Sequence, residues 1–295
     1  MNETKTSQIP LRFGDQQPID ELLVPVVDEV WSDRATKVAA ELAERWDIPL
    51  RFVHMALPGE AQPFSVAPNR VSVEKPHIDI RATTVEGEDV AAVVLGEAGR
   101  GTVIVLSTDH AREWTKTRSV GETLVRTAPD PVILCGPRVV PQPMTGSVIV
   151  TLDGSSTAEA AIDLGRSMAS SLGTTLWLVQ VVDAARVAQV KKLSDAGERV
   201  SESRYLRSMA EATAVEGLDI GWEIIHSDDP VGAVVSFAAE RGSSLIVAAS
   251  HGASGLSHQL FGSTCLGFVE RASVPVMIAR TVRTEHELMS GKGEG

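Results

Sequence analysis

Short apolar runs of four to eight residues alternate with longer stretches whose apolar positions recur every three or four residues. Leu22–Val27, Leu50–Met55, Thr102–Leu106 and Pro131–Leu134 read as buried strands, and His77–Ala82 as an alternating one with Ile78 and Ile80 on one face. Between them, Ala35, Val38, Ala39, Leu42 and Trp46 fall on one helical face, capped by Ser32 or Asp33. Val90, Val93 and Val94 mark a short helix, and a further helix is expected near 119–127. Residues 57–76 hold four prolines and read as a loop. Strand and helix thus alternate about five times, the pattern of a parallel α/β sheet.

The pattern then starts again. Ser147–Leu152 predicts a strand running into Asp153, and Ser156 with Glu159 predicts a capping box. Ala158, Ala161, Ile162, Met168 and Leu172 define a helix face ended by Gly173. Thr175–Val182 follows as a strand, then a long polar helical stretch over 184–216, which the first half is expected to lack. Ile220, Trp222 and Ile224 alternate as a strand. Asp229-Pro230 opens a helix with Val231, Val234, Val235 and Ala238 on its buried stripe. Leu245–Ala249 and Val274–Ala279 are the last apolar runs. Equivalent positions lie 125 to 126 apart early in the halves (153 − 28, 168 − 42) and 144 apart at the end (275 − 131), the signature of an internal duplication.

The expected organisation is therefore a loose arm over 1–19, a first domain over 20–136, a proline-rich linker over 137–146, a second domain over 147–281 and a polar tail over 282–295. The fold class expected is α/β, with two tandem open parallel sheets of about five strands and helices on both faces. Pro275 suits an edge strand, so the halves are expected to pair through their fifth strands.

Composition narrows the function. A net charge of −12 disfavours nucleic acid and anionic membrane surfaces as partners. Two cysteines, Cys135 and Cys265, are too few for a disulfide scaffold, and no apolar run reaches the ~20 residues of a membrane span. A cytoplasmic location is the expectation.

The candidate chemistry gathers in the second half. Asp153 ends its first strand, where ligands of open parallel sheets bind. Gly252, Gly255 and Gly262 form a glycine-rich loop after a buried strand, with Ser263 and Thr264 at a helix start, a layout that can hold a phosphate. Alternatively, Asp153-Gly154-Ser155 only turns the chain, and the loop is only a helix entry. No P-loop lysine motif is present, and no G-x-G-x-x-G opens the first helix of either half. His251, His258 and Cys265 do not have zinc-ligand spacing.

These residues resemble the adenine-nucleotide-binding type of the universal stress protein family, whose G-x2-G-x9-G-[ST] motif corresponds to Ala249-Ser250-His251-Gly252, nine residues, then Gly262-Ser263. Ala249 departs from the motif's first glycine. The V-x-x-D of the first strand is Val150-Thr151-Leu152-Asp153, and SVPVMIAR resembles the family's fifth strand. The resemblance implies ATP or another adenine nucleotide as ligand, with or without Mg. It implies Thr151, Asp153 and the backbone of Val181 near adenine and ribose. Ala249, Gly252, Gly255, Gly262, Ser263 and Thr264 would lie around the phosphates. It implies a homodimer as the expected assembly and action in stress adaptation or signalling. No general base or catalytic lysine is placed, so any ATP hydrolysis is expected to be slow. The first half resembles the same domain with its motif degraded. Asp28 is kept, but Arg118 stands at the Gly262 position, and Thr108-Asp109-His110 replaces Ser250-His251-Gly252. Side chains there crowd and repel a triphosphate, although Arg118 also offers a phosphate a cation. A nucleotide-free scaffold that binds a protein partner is the alternative from another class.

Overall fold

A computed structural model describes residues 18–26, 33–56, 66–108, 114–182, 197–250 and 262–279. Ten strands form one sheet: β1 (Glu21–Val26), β2 (Leu50–Ala56), β3 (Ile80–Glu86), β4 (Thr102–Ser107), β5 (Val132–Cys135), β6 (Val148–Leu152), β7 (Leu176–Val182), β8 (Ile220–His226), β9 (Leu245–Ala249) and β10 (Val276–Ala279). The described helices are α1 (Asp33–Trp46), α2 (Val66–Glu74), α3 (Val90–Glu97), α4 (Trp114–Thr127), α5 (Ser156–Leu172), α6 (Gly197–Thr213), α7 (Pro230–Glu240) and α8 (Ser263–Arg271). No helix among the described residues is long and apolar enough to cross a membrane.

The strand order is β3-β2-β1-β4-β5-β10-β9-β6-β7-β8, the same five-strand order twice. Within each half every pairing is parallel. The halves meet through their fifth strands, as expected, but antiparallel: Val276 faces Leu134, Met277 faces Ile133 and Ile278 faces Val132. The expected pair of sheets is therefore one continuous sheet. The strands of the two halves run in opposite directions, so their carboxyl ends open on opposite edges of the sheet.

The register makes the duplication quantitative. The pairs Leu22/Leu50 and Val148/Leu176 are offset by 126 (148 − 22), and Leu22/Val103 and Val148/Leu245 give 142 for β4 and β9 (245 − 103). The β3/β8 offset is 140 (220 − 80), and the helix caps Asp89 and Asp229 keep it. One apolar layer lies between the sheet and α1, α2, α5 and α6, and the other between the sheet and α3, α4, α7 and α8; both layers draw residues from both halves. Across the seam the ends of α1 and α5 meet with near two-fold symmetry. The Trp46 indole donates to Ser171 Oγ at 3.1 Å, and the Arg45 guanidinium donates to the Leu172 carbonyl.

One duplicated spot has changed its chemistry completely. On β2, Arg51 makes two bonds to the Glu21 carboxylate (3.1 and 2.7 Å), one to the Glu97 carboxylate at 2.7 Å and one to the Glu97 carbonyl at 2.6 Å. Its equivalent on β7 is Trp177, and that of Glu97 is Phe237. These rings meet edge-to-face at 5.4 Å, with the Arg241 guanidinium 4.0 Å above the indole. An ion-pair network and an aromatic–cation stack fill the same place.

Three expectations are corrected. Residues 57–76 are not all loop, because α2 occupies 66–74. Pro68 falls in its first turn, where a missing N–H costs no helical bond. The first half therefore does not lack a helix where the second has α6; its helix is shorter. The third strand begins at Ile80 rather than His77, since Ile78 N–H turns back to the Lys75 carbonyl. It is an edge strand with an exposed pattern, which weakens the apolar signal of its start. Finally, Ser155, not Ser156, caps α5: its hydroxyl accepts the Ala158 N–H at 3.1 Å, and Glu159 accepts the Tyr205 hydroxyl at 2.9 Å instead of closing a capping box.

The linker is bound along its length. Val140 N–H donates to the Ser273 carbonyl, the Gln142 amide donates to the Ser243 carbonyl, and Val139 and Met144 are buried. Gly136 passes so close to α8 that a Cβ there would lie 1.6 Å from the Val269 carbonyl oxygen.

Candidate functional site

The carboxyl ends of β6 and β9 are adjacent because the two strands pair in parallel, with Val150 opposite Val247. Apolar side chains on both faces bury most of each strand, and beyond Thr151 the polar groups gather where the strands stop. After β6 comes Asp153, exposed, whose Oδ1 accepts the Ser155 backbone N–H at 3.0 Å and the Ser155 hydroxyl at 2.6 Å. Ser155 Oγ in turn caps α5, so the carboxylate is held by the same turn that starts the helix. Gly154, at φ +82°, makes that turn.

After β9, the Ser250 N–H bonds to the Ala279 carbonyl and keeps the chain in the sheet one residue further. The chain re-enters the described structure at Gly262, the N-cap of α8, and no side chain among the described residues caps this helix. Leu266 N–H is taken by the Gly262 carbonyl. The N–H groups of Ser263, Thr264 and Cys265 therefore have no acceptor within the helix and carry the positive end of its dipole. The Ser263 and Thr264 side chains are exposed.

Two contacts tie these elements together. The buried Cys265 thiol donates to the Ala249 carbonyl at 2.9 Å, clamping the first turn of α8 onto the end of β9. Burial, with the Asp153 charge second, pushes that thiol up to about 12. Tyr205 of α6 leans over the start of α5; burial, then its bond to Glu159, raises its hydroxyl pKa, and the Asp153 charge adds to the rise. Asp153 thus lies within electrostatic reach of both α8 and Tyr205.

Gly262 is informative because nothing described demands a glycine. Its φ is −57°, open to any residue, and among the described residues the nearest atom to an added Cβ is the Ser250 carbonyl oxygen at 3.9 Å, an ordinary contact. Ala249, the departure from the family motif, is the last residue of β9 and is not among the positive-φ residues, so an alanine fits there without strain.

Of the residues expected at the site, Asp153, Ala249, Gly262, Ser263 and Thr264 come together around the ends of β6 and β9. Thr151 lies half-buried within β6, and Val181 lies near the end of β7 opposite Ile225. Gly252 and Gly255, with His251 and His258, lie outside the described residues, as do Asp28, Asp109 and His110 in the first half. At the position of Ala249 the first half has Ser107 (249 − 107 gives the β4/β9 offset of 142), and its hydroxyl accepts the Ala35 N–H of α1 at 3.0 Å. The two strand ends are built differently. Sequence reasoning missed Cys265 as a clamp, Tyr205, and Gln180 of β7. The signal for Gln180 was present: it is the one polar side chain in the strand LWLVQVV.

Comparison with known proteins bears on the fold and on the second half. Residues 144–280 match the family model of the Universal stress protein family. The chain is 31% identical over 198 residues to the universal stress protein Rv2005c of Mycobacterium tuberculosis (strain H37Rv), covering 64% of this chain and 61% of the relative. The universal stress protein Mb2028c of Mycobacterium bovis matches to the same extent. The chain thus spans about three-fifths of the length of the curated relatives it matches. In fold it is similar to a universal stress protein from Archaeoglobus fulgidus, with a TM-score of 0.64 at 17% identity over 90% of this chain and 97% of that one. A protein of unknown function from Pseudomonas aeruginosa PAO1 gives 0.60 at 16% identity, over 89% and 92%. The fold likeness runs through both halves. The family match runs from just before β6 to the end of β10, the span that carries Asp153, Gly262 and the first turn of α8, and residues 144–280 form a universal stress protein domain.

Proposed function

We propose that the second half binds ATP or another adenine nucleotide, and that the protein acts in stress adaptation or signalling through binding rather than turnover. The observation that carries this is the first turn of α8, whose N–H groups have no acceptor within the helix, beside Gly262, where among the described residues an added Cβ would meet only the Ser250 carbonyl oxygen. A polyphosphate fits there through backbone donors and the helix dipole. Asp153, one strand away, offers a carboxylate to ribose hydroxyls. Thr151 and the Val181 backbone flank the adenine side, and Gly252 and Gly255 belong to the phosphate loop by their place in the motif. Mg, when present, would sit on the phosphates. The sequence places no general base or catalytic lysine in the motif, so any hydrolysis is expected to be slow.

The first half serves in this reading as a degenerate universal stress protein domain and structural partner. Ser107 ties its fourth strand to α1 where the second half has Ala249. This difference favours, for that half, a scaffold that presents a surface to a protein partner. The fifth-strand surface is used up within the chain, so a homodimer of whole chains would need another face. Two buried free cysteines suit a reducing, cytoplasmic setting.

Isothermal titration of ATP into the wild type, Asp153→Ala and Gly262→Arg tests the site. Binding by the wild type and its loss in both variants is expected. Equal affinity in all three removes the assignment. Mass spectrometry of the purified protein for retained nucleotide separates a nucleotide binder from a bare scaffold.

A further inference from the structure

We propose that Gln180 selects the base: its carboxamide reads the donor–acceptor edge of adenine and discriminates 6-amino from 6-oxo purines. The proposal rests on the nucleotide reading above and deepens it.

Gln180 lies near the carboxyl end of β7, in register with Leu152, one residue before Asp153. It shares a sheet face with Leu176 and Leu178, both fully buried, yet it is only partly buried itself. Its Nε2 is 3.8 Å from where a Cβ of Gly154 would stand, so the amide lies against the turn that carries Asp153. Its Oε1 is closed off from solvent and has no hydrogen-bond partner among the described residues. A leucine would pack at this point without leaving a polar atom unmet, and an unmet buried carbonyl costs free energy in the free protein. Nothing in the described structure recovers that cost, and a ligand with a matching donor does.

The topology says which part of a nucleotide would reach it. Across the sheet the order is β9, β6, β7, with neighbouring strands about 4.8 Å apart. The α8 N-terminus follows β9, Asp153 follows β6, and Gln180 is near the end of β7. Phosphate, ribose and base laid in that sequence span the same two strand spacings. A carboxamide pairs with adenine, accepting from the 6-amino group and donating to N7, whereas guanine presents two acceptors on that edge. The carboxamide torsion is broad, so the group can turn its oxygen to the ligand. In the first half the equivalent position, 126 residues earlier, is His54, whose ring has no carbonyl to offer.

The test is titration of ATP and of GTP into the wild type, Gln180→Met, Gln180→Glu and Gly262→Arg. The wild type should prefer ATP. Gln180→Met loses both hydrogen bonds to adenine and should weaken ATP at least about tenfold while affecting GTP far less, so the preference collapses. Gln180→Glu keeps the shape but loses the donor, and should also weaken ATP. Thermal melting should show Gln180→Met folded and at least as stable as the wild type, since its unmet carbonyl is gone. If Gly262→Arg abolishes binding while the Gln180 variants keep the wild-type preference, the nucleotide site stands and the role of Gln180 is overturned. A wild type that binds both nucleotides equally also overturns that role, and one that binds neither overturns both readings.

Discussion

Replacing Gly262 with alanine separates what the fold needs from what a ligand needs. The backbone at 262 has φ −57° and the nearest described atom to the new methyl is 3.9 Å away, so the folded protein accepts it without strain. Alanine is a poorer N-cap than glycine by roughly 0.5–1 kcal/mol, while restricting the unfolded chain returns about 0.4–1 kcal/mol. The two nearly cancel, and the melting temperature should move by no more than about 2 °C. In the proposed site the methyl would stand at the helix start, where the phosphate meets the Ser263 and Thr264 N–H groups. Displacing a phosphate oxygen from one such charge-assisted bond costs about 1.5–3 kcal/mol, a 10- to 100-fold loss of ATP affinity. Calorimetry of binding and of unfolding on the same two proteins reads both quantities. A variant that melts many degrees lower with unchanged affinity would refute the reasoning, because the glycine would then serve the fold.

Other consequences follow from the same structure. Met277→Asp places a charge at the centre of the β5–β10 seam, where Met277 and Ile133 are both fully buried, and should cost more than about 3 kcal/mol in urea unfolding, with amide-exchange protection lost in β5 as well as β10. Arg51→Ala strips the counter-charge from Glu21 and Glu97, all three only 15–31% exposed, and should destabilise by about 2 kcal/mol; Arg51→Lys should recover only part, lacking the two-pronged bond to Glu21. Asp229 is held down at about 2 by its paired bonds with Arg271 and by the Gly232 N–H. Its contribution is present above the ordinary carboxylate pKa and lost as pH falls through the folded one, so the stabilising effect relative to Asp229→Asn should fade between about pH 4 and pH 2. Cys265 moves the other way. The folded thiol keeps its proton to about 12 while the unfolded thiol releases it near 9, so stability should fall as pH rises above 9, and a thiol reagent at pH 8 should react with this site only on unfolding.

Much of the fold was legible because buried strands and amphipathic helices write themselves into local sequence. The runs at Thr102–Ser107 and Leu245–Ala249 had to be apolar on both faces, and α1, α5 and α7 show their buried stripes at helical spacing. The fifth-strand pairing was foreseeable from short apolar strands that each half leaves at an edge. The misread places are those where local rules compete. Prolines over 57–76 spoke for loop, but one of them falls in a helix's first turn. Ser155 and Ser156 are both able caps, and the Asp153 turn decides between them. Of the site, the aspartate at a strand end and the glycine at a helix start could be picked out, since both depend on sequence-local geometry.

The sequence by itself determined two copies of one α/β pattern, their offsets, and the aspartate and glycine at the strand end and helix start of the second. Only the tertiary structure decided that the copies share one ten-stranded sheet, that Arg51 and Trp177 solve the same packing problem with different chemistry, and that Gln180 lies beside the Asp153 turn with its carbonyl unmet. The physical reason is range. Periodicity, capping and turn preference are set by residues a few positions apart, whereas whether a polar atom is satisfied depends on neighbours that the sheet brings from tens of residues away.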